Sequence, residues 1–242
     1  MSWFQSRWLA LVWAGFSCTL YAVDGVVLID QNRALAGNVT PGDTAGFPVT
    51  ISVSGSYRLS GNLTVPDAET TAILVTADNV TIDLNGFSII GPVVCAPLGP
   101  DPASCTPFGQ GVGVDARGGG SGKNNLTVVN GTIRGMGANA VFATGKHAYI
   151  EKVRAVSNGF TGLGIGGDAI VTGNIVILNS GAGIDVFAGR ATITGNTVLS
   201  NDGFGIRTSC PSVVTGNVVA NNFSGNISTT GIGCVSVNNA AP

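Results

Sequence analysis

Two sets of ionisable side chains have the residue types and spacing that proton-transfer chemistry requires. His147, Asp168 and Arg190 follow one another at intervals of 21 and 22 residues, and Asp115, Asp185 and Arg207 share a second recurring slot with Phe142 and Gly164. A histidine beside a carboxylate could serve as a general base. The same residues also fit an exposed ladder of alternating charge, worth about 0–1 kcal/mol per pair, and that ladder accounts for them without catalysis. Asp185 and Arg207 fall one repeat apart, close enough to pair.

What must position these residues is a repeat. From Tyr149 to Cys234 one short pattern is written four times, as VRAVSNGFTGLGI, NIVILNSGAGIDV, NTVLSNDGFGIRT and NVVANNFSGNIST, with starts advancing by 21, 22 and 21 residues. Apolar residues recur at the third position (Ala155, Val176, Val198, Val219) and eight further on (Leu163, Ile184, Ile206, Ile227). The segments are short, rich in Val, Ile and Thr, and broken by Gly and Asn, which is the grammar of strands and tight turns rather than helices. A period this short predicts a solenoid, each coil burying its apolar side on the next. Stacked coils make the strands parallel and each inward column an aliphatic ladder.

Asparagine marks the turns. Asn158, Asn179, Asn201 and Asn222 occupy one slot, and Asn174, Asn196 and Asn217 another. Asn tolerates left-handed backbone and bonds nearby main chain, so a column of identical amides can satisfy inward-facing turns. On this pattern the chain resembles the right-handed parallel β-helix proteins of the pectin-lyase-like superfamily over roughly residues 72–238. The resemblance implies an all-β, single-domain right-handed parallel β-helix of six or seven coils, about 21–22 residues each. The right-handed bias of parallel crossovers agrees with it.

Outside the repeats, residues 1–22 read as a secretory signal peptide: Arg7, then an apolar run, then the small Ala22. A lipoprotein signal ending at Cys18 is the rival, but Phe16 stands where a small residue is wanted. Residues 23–65 lack the repeat slots and are expected to form an N-terminal β cap, since an uncovered solenoid end invites aggregation. The alternating run from Val49 to Val65 reads as two strands. The β-helix would occupy residues 66–242, with a Pro-rich loop insertion at 93–110. Removing the leader leaves four cysteines of the five. Cys95 with Cys105, and Cys210 with Cys234, is the most economical of the possible disulfide pairings in an oxidising compartment. The insertion is where such a fold would place a feature that varies, or simply a tolerated surface loop.

Composition narrows the function classes. A net charge of −2 and no basic run argue against nucleic acid and a membrane surface. His147 is the one histidine, and with no C-x-x-C spacing and no concentration of acids, neither a metal nor a cofactor is expected. Enzymes of the resembled superfamily carry acid clusters with a proton-abstracting Arg, or NTD, DD, GHG and RIK, or DPHE. The four strings NTD, DD, GHG and RIK are absent, as is DPHE. No catalytic residue is therefore carried over. The reading that remains is a secreted, non-catalytic module that binds polysaccharide or a cell-surface glycan, or serves as an adhesive or structural scaffold. A polysaccharide-active lyase, hydrolase or epimerase is the alternative. The column Thr172, Thr194 and Thr215 is a contact candidate or β-branched packing. The phenylalanines Phe160, Phe204 and Phe223, around the Asn turn, are expected to stack and close the core. A short polar tail leaves the C-terminal end lightly capped or covered by another subunit.

Overall fold

The computed structural model describes residues 25–98, 101–118 and 122–242. The expected signal peptide at residues 1–22 lies outside the described residues. Short strands recur because each segment holds only three or so residues of β-forming type before a Gly, Asn or Ser ends it. Each coil contributes strands to three faces. The first runs through Val27–Ile29, Gly55–Leu59, Val80–Asp83 and on to Ile170–Thr172, Thr192–Thr194, Val213–Thr215 and Val235–Val237. The second includes Leu63–Thr64, Ser88–Ile90, Ile175–Ile177, Thr197–Leu199 and Val218–Ala220. The third is a separate eight-stranded sheet, from Val49–Ile51 to Gly225–Thr230. Thr127–Arg134 and Tyr149–Val156 pass unbroken from the first face to the second. All these pairings are parallel.

The register is the one the repeat predicts. Ala155, Val176, Val198 and Val219 are mutual neighbours on the second face, and Leu163, Ile184, Ile206 and Ile227 on the third. All but Ile227 are fully buried, and Ile150, Val171, Ile193 and Val214 form the third inward column. Full burial of a Val, Leu or Ile stabilises by roughly 1.5–3 kcal/mol, and repetition multiplies it.

Eight strands in the third sheet mean eight coils, one or two more than expected. The additional coil comes from the segment expected to be cap: Val49–Ile51, Gly55–Leu59 and Leu63–Thr64, three strands rather than two, pair with the next coil on all three faces. End coverage falls to a helix that sequence periodicity did not reveal, Gln31–Ala36. Its N-cap Asp30 accepts from the Arg33 N–H, and Ala34 is buried.

In the regular coils most corners turn on one residue with left-handed backbone. Between the first two faces it is Gly173, Gly195 and Gly216, φ +63 to +65°. Between the second and third it is Ser157, Leu178, Ser200 and Asn221, φ +55 to +57°. The ladder asparagines come immediately after these positions, so they supply hydrogen bonds while a neighbour supplies the bend. Each Asn rung is fully occupied. Asn179, for example, donates Nδ2–H to Asn201 Oδ1 at 2.9 Å and to Ala155 O at 3.1 Å, and accepts from both the backbone and side chain of Asn158. Asn239 and Asn226 extend the two ladders by one rung each.

Both disulfides form as expected, Cys95–Cys105 and Cys210–Cys234. The insertion at 93–110 is not a loop but an antiparallel hairpin, Val94–Leu98 with Asp101–Thr106, whose facing cysteines are buried against Ala68, Val93 and the Asn158 carbonyl.

Candidate functional site

The third corner explains the first charged column. His147, Asp168 and Arg190 are its left-handed residues, φ +58 to +65°. Arg190 grips Asp168 with Nε at 2.5 Å and a terminal nitrogen at 2.8 Å. That bond holds the Asp168 carboxyl below the usual carboxylate range, with a smaller contribution from the charge of His147. His147 is exposed and forms no side-chain hydrogen bond with the described residues. An acid committed to arginine on an open corner is poorly placed to orient a catalytic imidazole.

The second column lies on the outer side of the third face, in register from Asp115 through Phe142, Gly164 and Asp185 to Arg207. Four strand steps at about 4.8 Å make this row roughly 19 Å long. Arg207 bridges to Asp185 with two hydrogen bonds, the Nε one 3.0 Å long, as the spacing predicts. Asp115 has a partner that the repeat does not reveal: Arg117, two residues on, bound bidentately at 3.0 and 2.6 Å. Two-residue alternation, carried past the Val114–Asp115 strand by the Ala116 N–H bond to Phe142 O, puts Arg117 on the same outward side as Asp115, which is the signal that would have found it. Both carboxylates are buried, 7% and 4% exposed, while both guanidinium groups reach solvent.

Between these ion pairs the phenylalanines depart from expectation. They do not close the core: Phe160, Phe187 and Phe223 are 58, 44 and 61% exposed. The interior columns are already filled by Val, Leu and Ile, and the Asn ladder takes the inward turn slot, so the rings lie outside. Phe142 and Phe187 meet edge to face at 5.8 Å across Gly164, where an added Cβ would sit 3.2 Å from each ring. The Arg117 guanidinium stacks over Phe142, 4.7 Å from its centroid.

The result is a groove of two adjoining clefts of about 480 and 340 Å³ that share Asn139, Phe142 and Phe160. Its first half is walled by Phe108, just past the disulfide hairpin, and its second by Phe187, Phe204 and Arg207. Gly137, Gly159 and Gly203 line it, each where a Cβ would strike neighbouring backbone. Among the described residues no three His, Cys, Asp or Glu side chains gather to hold a metal ion, and no helix is long and apolar enough to cross a membrane.

No curated protein and no solved structure gives a significant match to the sequence. A family profile described as "right handed beta helix region" matches residues 112–241, more than half of the chain. That span covers the ladders, the corners and most of the groove, and the chain belongs to the right-handed β-helix family.

Proposed function

We propose that the chain is a non-catalytic extracellular module that holds a polysaccharide strand in the groove of its third face. The observation that carries this reading is the row of solvent-facing rings, Phe142, Phe160, Phe187 and Phe204, set over a floor of glycines on a rigid sheet. Flat apolar rings suit the C–H faces of sugars, and a long shallow groove suits a polymer more than a small molecule. Disulfides, which persist in oxidising compartments, support the extracellular part.

Hydrolysis or lyase chemistry is the weaker reading for a geometric reason. Asp115 and Asp185 are three strand steps apart, roughly 14 Å at the usual spacing. Paired glycosidase carboxyls stand about 5–9.5 Å apart, and each acid here is already bound to its own arginine. Affinity electrophoresis across a panel of polysaccharides, with parallel assays for reducing ends and unsaturated products, tests the choice. We expect retention without products, weakened at least tenfold by Phe142→Ala or Phe187→Ala. Products that vanish in Arg207→Ala or His147→Ala would replace binding with catalysis.

A further inference from the structure

We propose that the groove selects uncharged glycan chains and that the side-chain amide of Asn139 is the hydrogen-bonding group that fixes their position; this rests on the polysaccharide-binding reading above. Asn139 belongs to neither Asn ladder. On the following coils its slot, two before the inward aliphatic of the third face, holds Thr161, Ala182 and Phe204. The residue is only 2% exposed, yet it lines both halves of the groove. Its amide forms no hydrogen bond with any described residue, whereas Asn179 and Asn201 each fill theirs several times over. Every fully occluded side-chain nitrogen or oxygen among the described residues has a partner. The unpartnered Asn139 amide therefore keeps an atom open, and the open side is the groove.

Gly164 secures that access. A Cβ there would lie 2.8 Å from Asn139 Nδ2, so the glycine leaves the amide and the two flanking rings room to face a ligand. An amide carries two donors and an acceptor, which matches a pair of neighbouring hydroxyls. A site with a buried polar group in need of a partner discriminates strongly for ligands that supply one.

The charge pattern defines the ligand class. Arg117 and Arg207 are each bonded to their own buried carboxylate, so the groove presents two neutralised pairs and no excess of either sign. A uronate, sulfate or phosphate would have to draw a guanidinium from an aspartate that is 93% or more buried, leaving that charge unpaired. A neutral sugar meets no such conflict: its hydroxyls can use the outward N–H groups of the arginines while its rings lie on Phe142, Phe160 and Phe187.

Calorimetric titration of the secreted chain with cello-, laminari- and xylo-oligosaccharides, against oligogalacturonate and oligoalginate, decides the matter. We expect at least one neutral series to bind tenfold or more tightly than either acidic one, with an affinity that does not fall as salt rises. Asn139→Ala should weaken it at least tenfold, and Gly164→Ala, whose added methyl would sit 2.8 Å from the Asn139 amide, should weaken it too, while both variants still unfold cooperatively. In the wild-type chain the Asn139 side-chain amide resonances should shift on titration, a readout that does not depend on any variant folding. Tighter binding of the acidic series would overturn the charge selectivity and leave the groove reading intact. Wild-type affinity in Asn139→Ala, or unmoved amide resonances under saturation, would overturn the role of Asn139. Binding to neither series would overturn the polysaccharide reading itself.

Discussion

The asparagines of the ladders and the asparagine of the groove are the same side chain in two settings of one stack. At Asn201 the amide donates to Val176 O, Leu199 O and Asn222 Oδ1 and accepts from the backbone and side chain of Asn179. At Asn139 the amide has no partner among the described residues and faces a groove. The difference lies in repetition. Where the same residue recurs on every coil, each rung completes the next, and the solution is structural and closed. Where a column changes identity from coil to coil, as in Asn139, Thr161, Ala182 and Phe204, nothing inside the stack completes it. In a solenoid the columns that repeat from coil to coil hold the protein together, and the irregular ones are where it can meet something else.

The comparison breaks most visibly if the two asparagines prove interchangeable in stability. Asn201→Ala removes five hydrogen bonds and orphans the buried Val176 carbonyl and Asn179 N–H. At about 1–3 kcal/mol per orphaned group, we expect a loss of roughly 3–5 kcal/mol in urea unfolding. Asn139→Ala breaks no hydrogen bond among the described residues and should cost about 1 kcal/mol, the centre of the range for single substitutions and well short of the ladder variant. A ladder variant as mild as the groove variant would mean that the ladder decorates the corner rather than holding it.

The two disulfides sharpen the contrast, because their loops differ little in entropic worth: 24 and 10 residues, roughly 3 kcal/mol each on the chain-entropy estimate. Their places in the stack differ. Cys210–Cys234 ties the last coil, whose Val235–Val237 strand is exposed along its length. Cys95–Cys105 anchors the hairpin that precedes Phe108. Replacing Cys210 and Cys234 with Ser should therefore speed amide exchange in residues 225–237 while leaving groove affinity unchanged. Replacing Cys95 and Cys105 should weaken glycan binding severalfold while the far coils keep their protection.

How much of this was legible in the sequence follows the same division. Columns that repeat could be read directly: the aliphatic rows, both Asn ladders, and the pairing of Asp185 with Arg207 all come from counting residues. The first coil and the capping helix escaped because Val49–Val65 and Gln31–Ala36 match no other copy. Arg117 escaped because it pairs with a residue two positions before it in the chain rather than from coil to coil. Asn139 lies in a coil whose turn reads MGAN where the next reads NGFT, so no aligned slot points to it. The phenylalanines were visible but their direction was not: a turn slot has no alternation to say in or out, and only the filled interior shows that the rings must face solvent.

The smallest expected effect lies at the seam between ladder and groove, where Asp202 directly follows Asn201 and precedes the groove residues Gly203 and Phe204. Partial burial raises the Asp202 carboxyl above its ordinary value. A carboxyl whose folded pKa exceeds its unfolded one opposes folding in its charged form. Its cost is complete above the raised folded value, shrinks as pH falls through the window between the two values, and is gone once both states are protonated. Asp168 runs the other way: arginine lowers its pKa, so its contribution is present above the ordinary carboxylate range and lost as pH falls through the depressed value. Asp202→Asn should accordingly raise the melting temperature at pH 7 by roughly 1 °C, a modest step because solvent screens a group this accessible. At pH 3 the variant and parent should melt together. A gain that persists at pH 3 would trace the effect to amide hydrogen bonding in the ladder rather than to a charge held at its edge, and would move the boundary of the closed region one residue toward the groove.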